Sequence, residues 1–136
     1  MEADLAIPGD KGDLSNEIEG PLGEGSQFAM TFGYYAEGVV EGVSCLPPDW
    51  KLRARRIYSE ETNGVTGVCP DVNDLCASKA VAGREKDWKF IKILSQVTQL
   101  DISELVKRIW QIDNVANSDK LRTEKLLYTK LEIKEK

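Results

Sequence analysis

Apolar and polar residues alternate at the beginning of the chain. The odd-numbered residues among the first seven are apolar and lie on one side, whereas Glu2 and Asp4 lie on the other. A period of two residues is typical of a half-buried β-strand. The pattern therefore predicts a first strand over residues 1–7, which Pro8 and Gly9 end.

The stretch that follows has no clear period. Residues 11–33 are rich in glycine and acidic side chains, which predicts an ordered loop with a short helix around residues 14–18. Residues 34–40 favour a second strand. Two consecutive prolines in the segment 46–50 fix the backbone and remove two hydrogen-bond donors, so this segment is predicted to be a turn.

Two further predicted strands form a possible β-hairpin. The strands are residues 52–58 and 65–69, and the connecting residues 61–64 end in Asn-Gly, which is typical of a turn. Beyond the hairpin the apolar residues recur at a helical period instead of a strand period. The chain is therefore predicted to change from sheet to helix near its middle.

Helix signals dominate after residue 70. Asp71 is able to cap a first helix and Gly83 is able to end it. Asp101, followed three residues later by Glu104, is a capping-box-like start of another helix. The apolar residues of that helix keep the spacing of one stripe and are Ile102, Leu105, Val106, Ile109 and Trp110. A last helix is predicted over residues 118–133.

The order of these elements predicts the fold class. We expect an α+β fold with a small mixed sheet in the N-terminal half followed by a helical C-terminal half. The 136 residues suit one ordinary domain, which we place over residues 1–112, with residues 113–136 as a C-terminal helix or tail. No stretch approaches the roughly 20 apolar residues of a membrane span, and no signal-peptide pattern opens the chain. We therefore expect a cytoplasmic protein without a membrane partner.

Composition narrows the possible chemistry. The chain has no histidine, which excludes Ser-His-Asp and Cys-His triads and leaves carboxylates, lysine, arginine and metal. Its three cysteines form no CxxC pair, and we interpret them as buried or unreactive thiols. The net charge is -5, and the acidic excess lies in the first 50 residues. Such a chain has no strong electrostatic reason to bind nucleic acid, although a local basic site for phosphate remains open.

The first candidate site is the acid pair of the predicted first strand. Strand geometry puts Glu2 and Asp4 on one face about 7 Å apart, close enough to reach one divalent cation. Many phosphoryl-transfer enzymes hold magnesium with acid-x-acid on a strand. The alternative is that both acids only solvate the exposed face of a terminal strand.

The second candidate site is the stretch from Asp74 to Asp87, DLCASKAVAGREKD. Helical spacing puts Lys79 beside the buried face, where an ammonium group among alanines is poorly solvated unless an anion meets it. One interpretation is phosphate binding by the cations of the stretch, which are Lys79, Arg84 and Lys86, with Ser78 on the same face as Lys79. The alternative is structural, with Lys79 and Arg84 forming salt bridges to Asp74 and Asp87.

Two further segments could contact a ligand. The loop 22–28, LGEGSQF, is glycine-spaced but lacks the lysine of a P-loop, and we interpret it as a structural loop. Arg53 and Arg55 share one face of the predicted strand, and Arg56 follows them. These arginines suit either a phosphate or the protection of a sheet edge by charge.

Five segments, in order, resemble the landmarks of a bacterial family of nucleotidyltransferase-like proteins, whose relatives include toxins of abortive-infection and toxin–antitoxin systems. The segments are MEADL at 1–5, LGEGSQF at 22–28, FGYYAEGV at 32–39, LPPDW at 46–50 and DLCASKAVAGREKD at 74–87. Ala29 stands where family members usually have histidine. The family pattern begins further upstream, with a glycine-serine turn whose backbone grips the triphosphate. We therefore expect that this N-terminal segment is missing here.

The resemblance implies a magnesium-dependent enzyme that transfers a nucleotide from a nucleoside triphosphate to an acceptor. It implies that Glu2 and Asp4 bind the metal and act in catalysis with Lys79. The implied nucleotide-binding residues are Ser78, Lys79, Arg84, Lys86 and Asp87. The alternative is an inactive relic that serves as a binding or regulatory module. The implied protein partners are a cognate antitoxin or a second copy of the chain.

Overall fold

The computed structural model describes residues 2–42 and 44–134. The chain divides into two compact units, Met1–Ser44 and Cys45–Lys136, which we call the N-terminal and C-terminal units. The elements of the N-terminal unit are β1 (Glu2–Ala6), α1 (Asp13–Leu22), α2 (Gln27–Phe32) and β2 (Tyr35–Val39). Those of the C-terminal unit are α3 (Trp50–Arg53), β3 (Arg55–Ile57), β4 (Gly67–Cys69), α4 (Val72–Ala82), α5 (Glu85–Val97), α6 (Ile102–Gln111) and α7 (Asn117–Leu131).

The N-terminal unit is a parallel strand pair joined by a helical crossover. β1 pairs with β2 in parallel, with Glu2 beside Tyr35 and Asp4 beside Glu37. The two predicted strands are confirmed. The predicted burial of one face of β1 is wrong, because all five of its residues are exposed. The physical reason is that α1 packs against β2, so β1 receives little cover from it.

The predicted loop over residues 11–33 is also wrong, since most of this stretch forms α1 and α2. Side-chain acceptors at the helix starts explain the difference. Asp10 accepts hydrogen bonds from the backbone nitrogens of Leu14 (3.1 Å) and Ser15 (2.9 Å), and Ser26 accepts one from the backbone nitrogen of Ala29 (3.1 Å). The hydroxyl of Ser15 also donates to Asp10 and, against the effect of desolvation, lowers the pKa of this carboxyl to about 2.

Gly38 allows α1 to approach β2 closely. A Cβ atom built on Gly38 would overlap the backbone of Ser15, so a side chain cannot be placed there without moving α1. Ala36, two residues earlier and on the same face of the strand, is buried. Tyr35 and Glu37 therefore project from the opposite face of β2.

The C-terminal unit begins with the predicted hairpin, in which β3 and β4 pair antiparallel. The first strand is shorter than predicted because Leu52 and Arg53 belong to helix α3. Arg53 and Arg55 therefore do not share a strand face, which corrects the sequence prediction. The reason is a tertiary contact, since the Arg53 side chain donates to the carboxylate of Asp74 from the end of α3.

Helices α4 to α7 enclose the main hydrophobic core of the C-terminal unit. The buried residues of this core are Cys76, Ala77, Ala80, Trp88, Ile91, Leu105, Ile109, Ile112 and Leu127. The predicted caps are confirmed: Asp71 accepts from Asn73, Asp101 accepts from Glu104, and Gly83 ends α4 with a φ of 66°.

The predicted α+β fold, with its sheet in the N-terminal half and helices in the C-terminal half, is confirmed. Helix α7 contributes the fully buried Leu127 to the core. The domain boundary proposed after residue 112 stays a prediction. Among the described residues, no helix has both the length and the apolar character needed to cross a membrane.

Replacing Gly38 by Ala is expected to destabilise the N-terminal unit. The new methyl group would push against the backbone of Ser15, and such overpacking usually costs about 1–3 kcal/mol. Chemical denaturation followed by circular dichroism measures the change. The control is Gly67→Ala in β4, where a Cβ would meet Ile57 at an ordinary 3.7 Å. Equal stability of the Gly38 variant and the parent protein would contradict the close approach.

Candidate functional site

Three carboxylates converge on one face of the N-terminal unit. Glu2 and Asp4 come from β1 and Glu37 comes from β2, and one oxygen of each lies within 4.8 Å of the others. Glu2 and Asp4 are exposed, and Glu37 is half-buried. We call these three residues the carboxylate cluster.

The register of the strand pair explains the carboxylate cluster. Residues two apart on a strand share a face, and paired residues on neighbouring strands lie about 4.8 Å apart. Asp4 is paired with Glu37, and Glu2 is paired with Tyr35. The Tyr35 hydroxyl donates to Oε2 of Glu2 (3.1 Å). Desolvation, the hydrogen bond to Glu2 and nearby carboxylate charges raise the pKa of Tyr35, so it stays a donor at neutral pH.

The carboxylate cluster fits a divalent cation. Magnesium takes oxygen ligands at about 2.1 Å, so adjacent ligands of an octahedral site lie about 3.0 Å apart and opposite ligands about 4.2 Å apart. One oxygen of each carboxylate lies within 4.8 Å of the others, so side-chain adjustment would bring the three oxygens to one cation. Three negative charges on an exposed face also leave room for water and for phosphate oxygens as further ligands.

Sequence reasoning found Glu2 and Asp4 but missed Glu37. The available signal was a single acid in the middle of the predicted strand YYAEGVV. An acid at that position is uncommon in a strand, where Glu is depleted. The parallel register that places it beside Asp4 could not be read from the sequence.

The second candidate site surrounds Asp87 in the C-terminal unit. Asp87 is buried, with 1% of its surface exposed, at the start of α5. Nε of Arg84 donates to its Oδ2 (2.7 Å), Nη2 donates to its Oδ1 (3.1 Å), and Nζ of Lys79 lies 3.8 Å from Oδ1. Desolvation by itself raises the pKa of Asp87, but the hydrogen bonds from Arg84 and the charge of Lys79 prevail, and the net pKa is lowered.

Lys79 also has an aromatic neighbour. Its Nζ lies 5.0 Å from the ring centroid of Phe90, within cation–π range. The alternative interpretation of the motif, in which its cations form salt bridges, is therefore observed at Asp87, which pairs with both Lys79 and Arg84. Of the other predicted residues, Ser78 is buried and Lys86 lines a groove beside α5. The nucleotide-binding role of these residues stays a prediction.

The expected pairing of Asp74 with Lys79 or Arg84 is wrong. Asp74 is fully buried and is bound through two hydrogen bonds by Arg53, at 2.8 and 2.9 Å, with Nε of Arg108 3.5 Å away. The hydrogen bond to Asp74 raises the pKa of Arg53, so the guanidinium group stays charged. Asp74 thus connects α3, α4 and α6. Lys79 pairs with Asp87 instead.

The glycine-spaced loop and one of the three cysteines have structural roles. Ser26 of the loop caps α2, as expected for a structural segment. Cys76 is buried in the core, and its desolvation raises the pKa of its thiol to about 12. Cys45 and Cys69 are exposed. The carboxylate cluster and the Lys79 motif therefore remain the two candidate sites, one in each unit.

The chain belongs to the family described as "Nucleotidyltransferase of unknown function (DUF6036)", whose model matches residues 26–136. The matched range contains Glu37, Lys79, Arg84 and Asp87, whereas β1 precedes it. No curated protein and no solved structure gave a match.

Replacing Asp87 by Asn is expected to lower the free energy of unfolding by about 1–3 kcal/mol, since it weakens charge-assisted hydrogen bonds to a buried group. The folded-state pKa of Asp87 is lowered from 3.8. The stabilisation that the ionised Asp87 side chain gives the folded protein is therefore fully present above the ordinary carboxyl pKa. It is lost as the pH falls through the lowered pKa of the folded state. Denaturation between pH 7 and pH 3 should show the parent and the variant converging in acid.

The exposed Asp113 provides the control for this measurement. Asp113→Asn should change stability by less than about 0.5 kcal/mol at every pH. A difference between the parent and the Asp87 variant that stays constant down to pH 3 would contradict the assigned role of the Asp87 charge.

Proposed function

We propose that this chain is a magnesium-dependent nucleotidyltransferase that transfers a nucleotide from a nucleoside triphosphate to an acceptor. The observation that carries the proposal is the carboxylate cluster, which offers three oxygen ligands to one cation in a member of a nucleotidyltransferase family. The absence of histidine is compatible with this chemistry, because nucleotidyl transfer depends on positioning and electrostatics.

In this proposal Glu2, Asp4 and Glu37 hold the cation. A bound magnesium ion would neutralise charge on the triphosphate and on the developing transition state. Tyr35 has a positioning role in this proposal, because its hydroxyl donates to Oε2 of Glu2 and restrains that side chain. The exposure of Glu2 and Asp4 supports the proposal, since the triphosphate must reach the same cation.

The Lys79 motif is proposed to offset phosphate charge. Arg84 supports this role because its side chain is 57% exposed although it is paired with Asp87. Asp87 would then hold Arg84 and Lys79 in fixed orientations, and Ser78 and Lys86 would supply further polar contacts. Lys79 is less accessible, with 22% of its side chain exposed.

Other parts of the proposal rest on the sequence resemblance. These parts are the kinship with toxins of abortive-infection and toxin–antitoxin systems, a cognate antitoxin as partner and a cytoplasmic location. The acceptor is left open, because membership of a fold family does not define a substrate.

Replacing Glu2, Asp4 and Glu37 by the corresponding amides, one at a time, should weaken cation binding about tenfold or more, because each change removes one negative ligand. Isothermal titration calorimetry with magnesium and with manganese measures the effect. Transfer of labelled nucleotide from each nucleoside triphosphate, measured with the same variants, should fall below detection.

Glu17→Gln, an exposed acid on α1, has the same charge change and serves as the matched control. It should leave both cation binding and transfer unchanged. Unaltered cation affinity in all three cluster variants would refute the metal role. Cation binding without any nucleotide binding would instead indicate a non-catalytic module.

A further inference from the structure

A groove between α5 and α7 has a high local density of lysine. Its cavity has a volume of about 380 Å³ and is lined by Glu85, Lys86, Trp88, Lys89, Lys92 and Lys130. Four of these six residues are lysines, so the lining has an excess of positive charge. We call this feature the lysine groove.

Three of the lysines follow one side of α5. Lys86, Lys89 and Lys92 recur every three residues, so they are helical neighbours separated by about 4.5 Å along the helix axis. Lys130 comes from α7 and completes the lining. The three lysines of α5 are therefore spaced in a row along the helix.

Two of these lysines have glutamate partners that a ligand could replace. Nζ of Lys92 lies 2.8 Å from Glu132, and Nζ of Lys130 lies 3.5 Å from Glu85. The glutamate side chains are 77% and 89% exposed, respectively. The hydrogen bond from Lys92 lowers the pKa of Glu132, so this acid is charged at neutral pH. Exposed ion pairs contribute little to stability, so phosphates can displace the glutamates at little cost.

The lysine groove lies in the basic part of the chain. Residues 51–136 carry 17 basic and 13 acidic side chains, whereas the first 50 residues carry one basic and ten acidic ones. A polyanion is attracted to a local excess of cations and is disfavoured by the acidic N-terminal part. The groove adds to this difference, because four of its six lining residues are lysines.

We propose that the lysine groove binds a ligand that carries several phosphates in a row. Lysine binds phosphate as a point charge, and a row of lysines matches successive phosphates better than a single one. The phosphodiester backbone of a single-stranded nucleic acid and inorganic polyphosphate share this chemistry. This inference is independent of the proposed metal centre, because it involves none of the cluster residues.

The test measures binding of a labelled single-stranded oligouridylate to the full chain by fluorescence anisotropy, in EDTA and over a range of salt concentrations. Each phosphate neutralised contributes about -0.7 to the slope of log K against log salt. The double variant Lys89→Gln/Lys92→Gln should reduce the magnitude of this slope by about 1.4 and weaken binding roughly 25-fold at 0.1 M salt. Inorganic polyphosphate is tested as a competitor and by calorimetry.

Two further variants make the result specific. Lys51→Gln/Lys107→Gln has the same charge change outside the groove lining and should leave affinity within about twofold. Glu85→Gln/Glu132→Gln removes both competing carboxylates and should strengthen binding. Circular dichroism confirms that each variant is folded.

The outcomes separate the sources of phosphate. Binding of either probe that depends on Lys89 and Lys92 supports the proposal, and the probe that binds more tightly identifies the source. No binding of either probe at low salt, or an equal loss in the Lys51 and Lys107 control, overturns it. Because EDTA removes divalent cations, failure here leaves the proposed metal centre unaffected.

Discussion

The register of the parallel pair β1–β2 is the constraint on which the carboxylate cluster depends. β1 supplies two acids, and only the alignment of Asp4 with Glu37 adds the third. Helix α1 helps to hold this alignment, since its backbone rests against β2 at Gly38, where a side chain would intrude. A shift of β2 by one residue would turn Glu37 toward α1 and Ala36 away from it. Packing on one face of the strand therefore determines the chemistry available on the other.

Buried carboxylates organise the C-terminal unit in a comparable way. Asp74 and Asp87 are both nearly inaccessible, and a buried acid is strongly unfavourable without cationic partners. Asp74 meets this requirement with Arg53 and Arg108, whereas Asp87 uses Arg84 and Lys79. These ion pairs join separate elements of the unit and fix where its cations lie. The basic motif is thus part of the stability of the unit as well as a candidate for phosphate contact.

Local signals in the sequence predicted much of the fold. The caps at Asp71 and Asp101 and the stop at Gly83 depend on residues close in the chain, and all three are confirmed. Features set by distant residues were not accessible in the same way. Arg53 ends a helix that contacts Asp74, 21 positions away, and the third carboxylate requires a pairing between strands more than 30 residues apart. Helix α2 and the full length of α1 were not predicted, because the composition of that stretch outweighed its capping side chains.

The carboxylate cluster has a consequence for the folding of the N-terminal unit. Like charges directly opposite each other weaken a strand pair, and Asp4 faces Glu37 across β1 and β2. A cation held between them would replace this repulsion by attraction. It would bind the folded unit and not the unfolded chain, in which the strands are apart, and would therefore stabilise the unit by mass action. The pairing of the two strands would then respond to the divalent cation concentration of the surrounding solution.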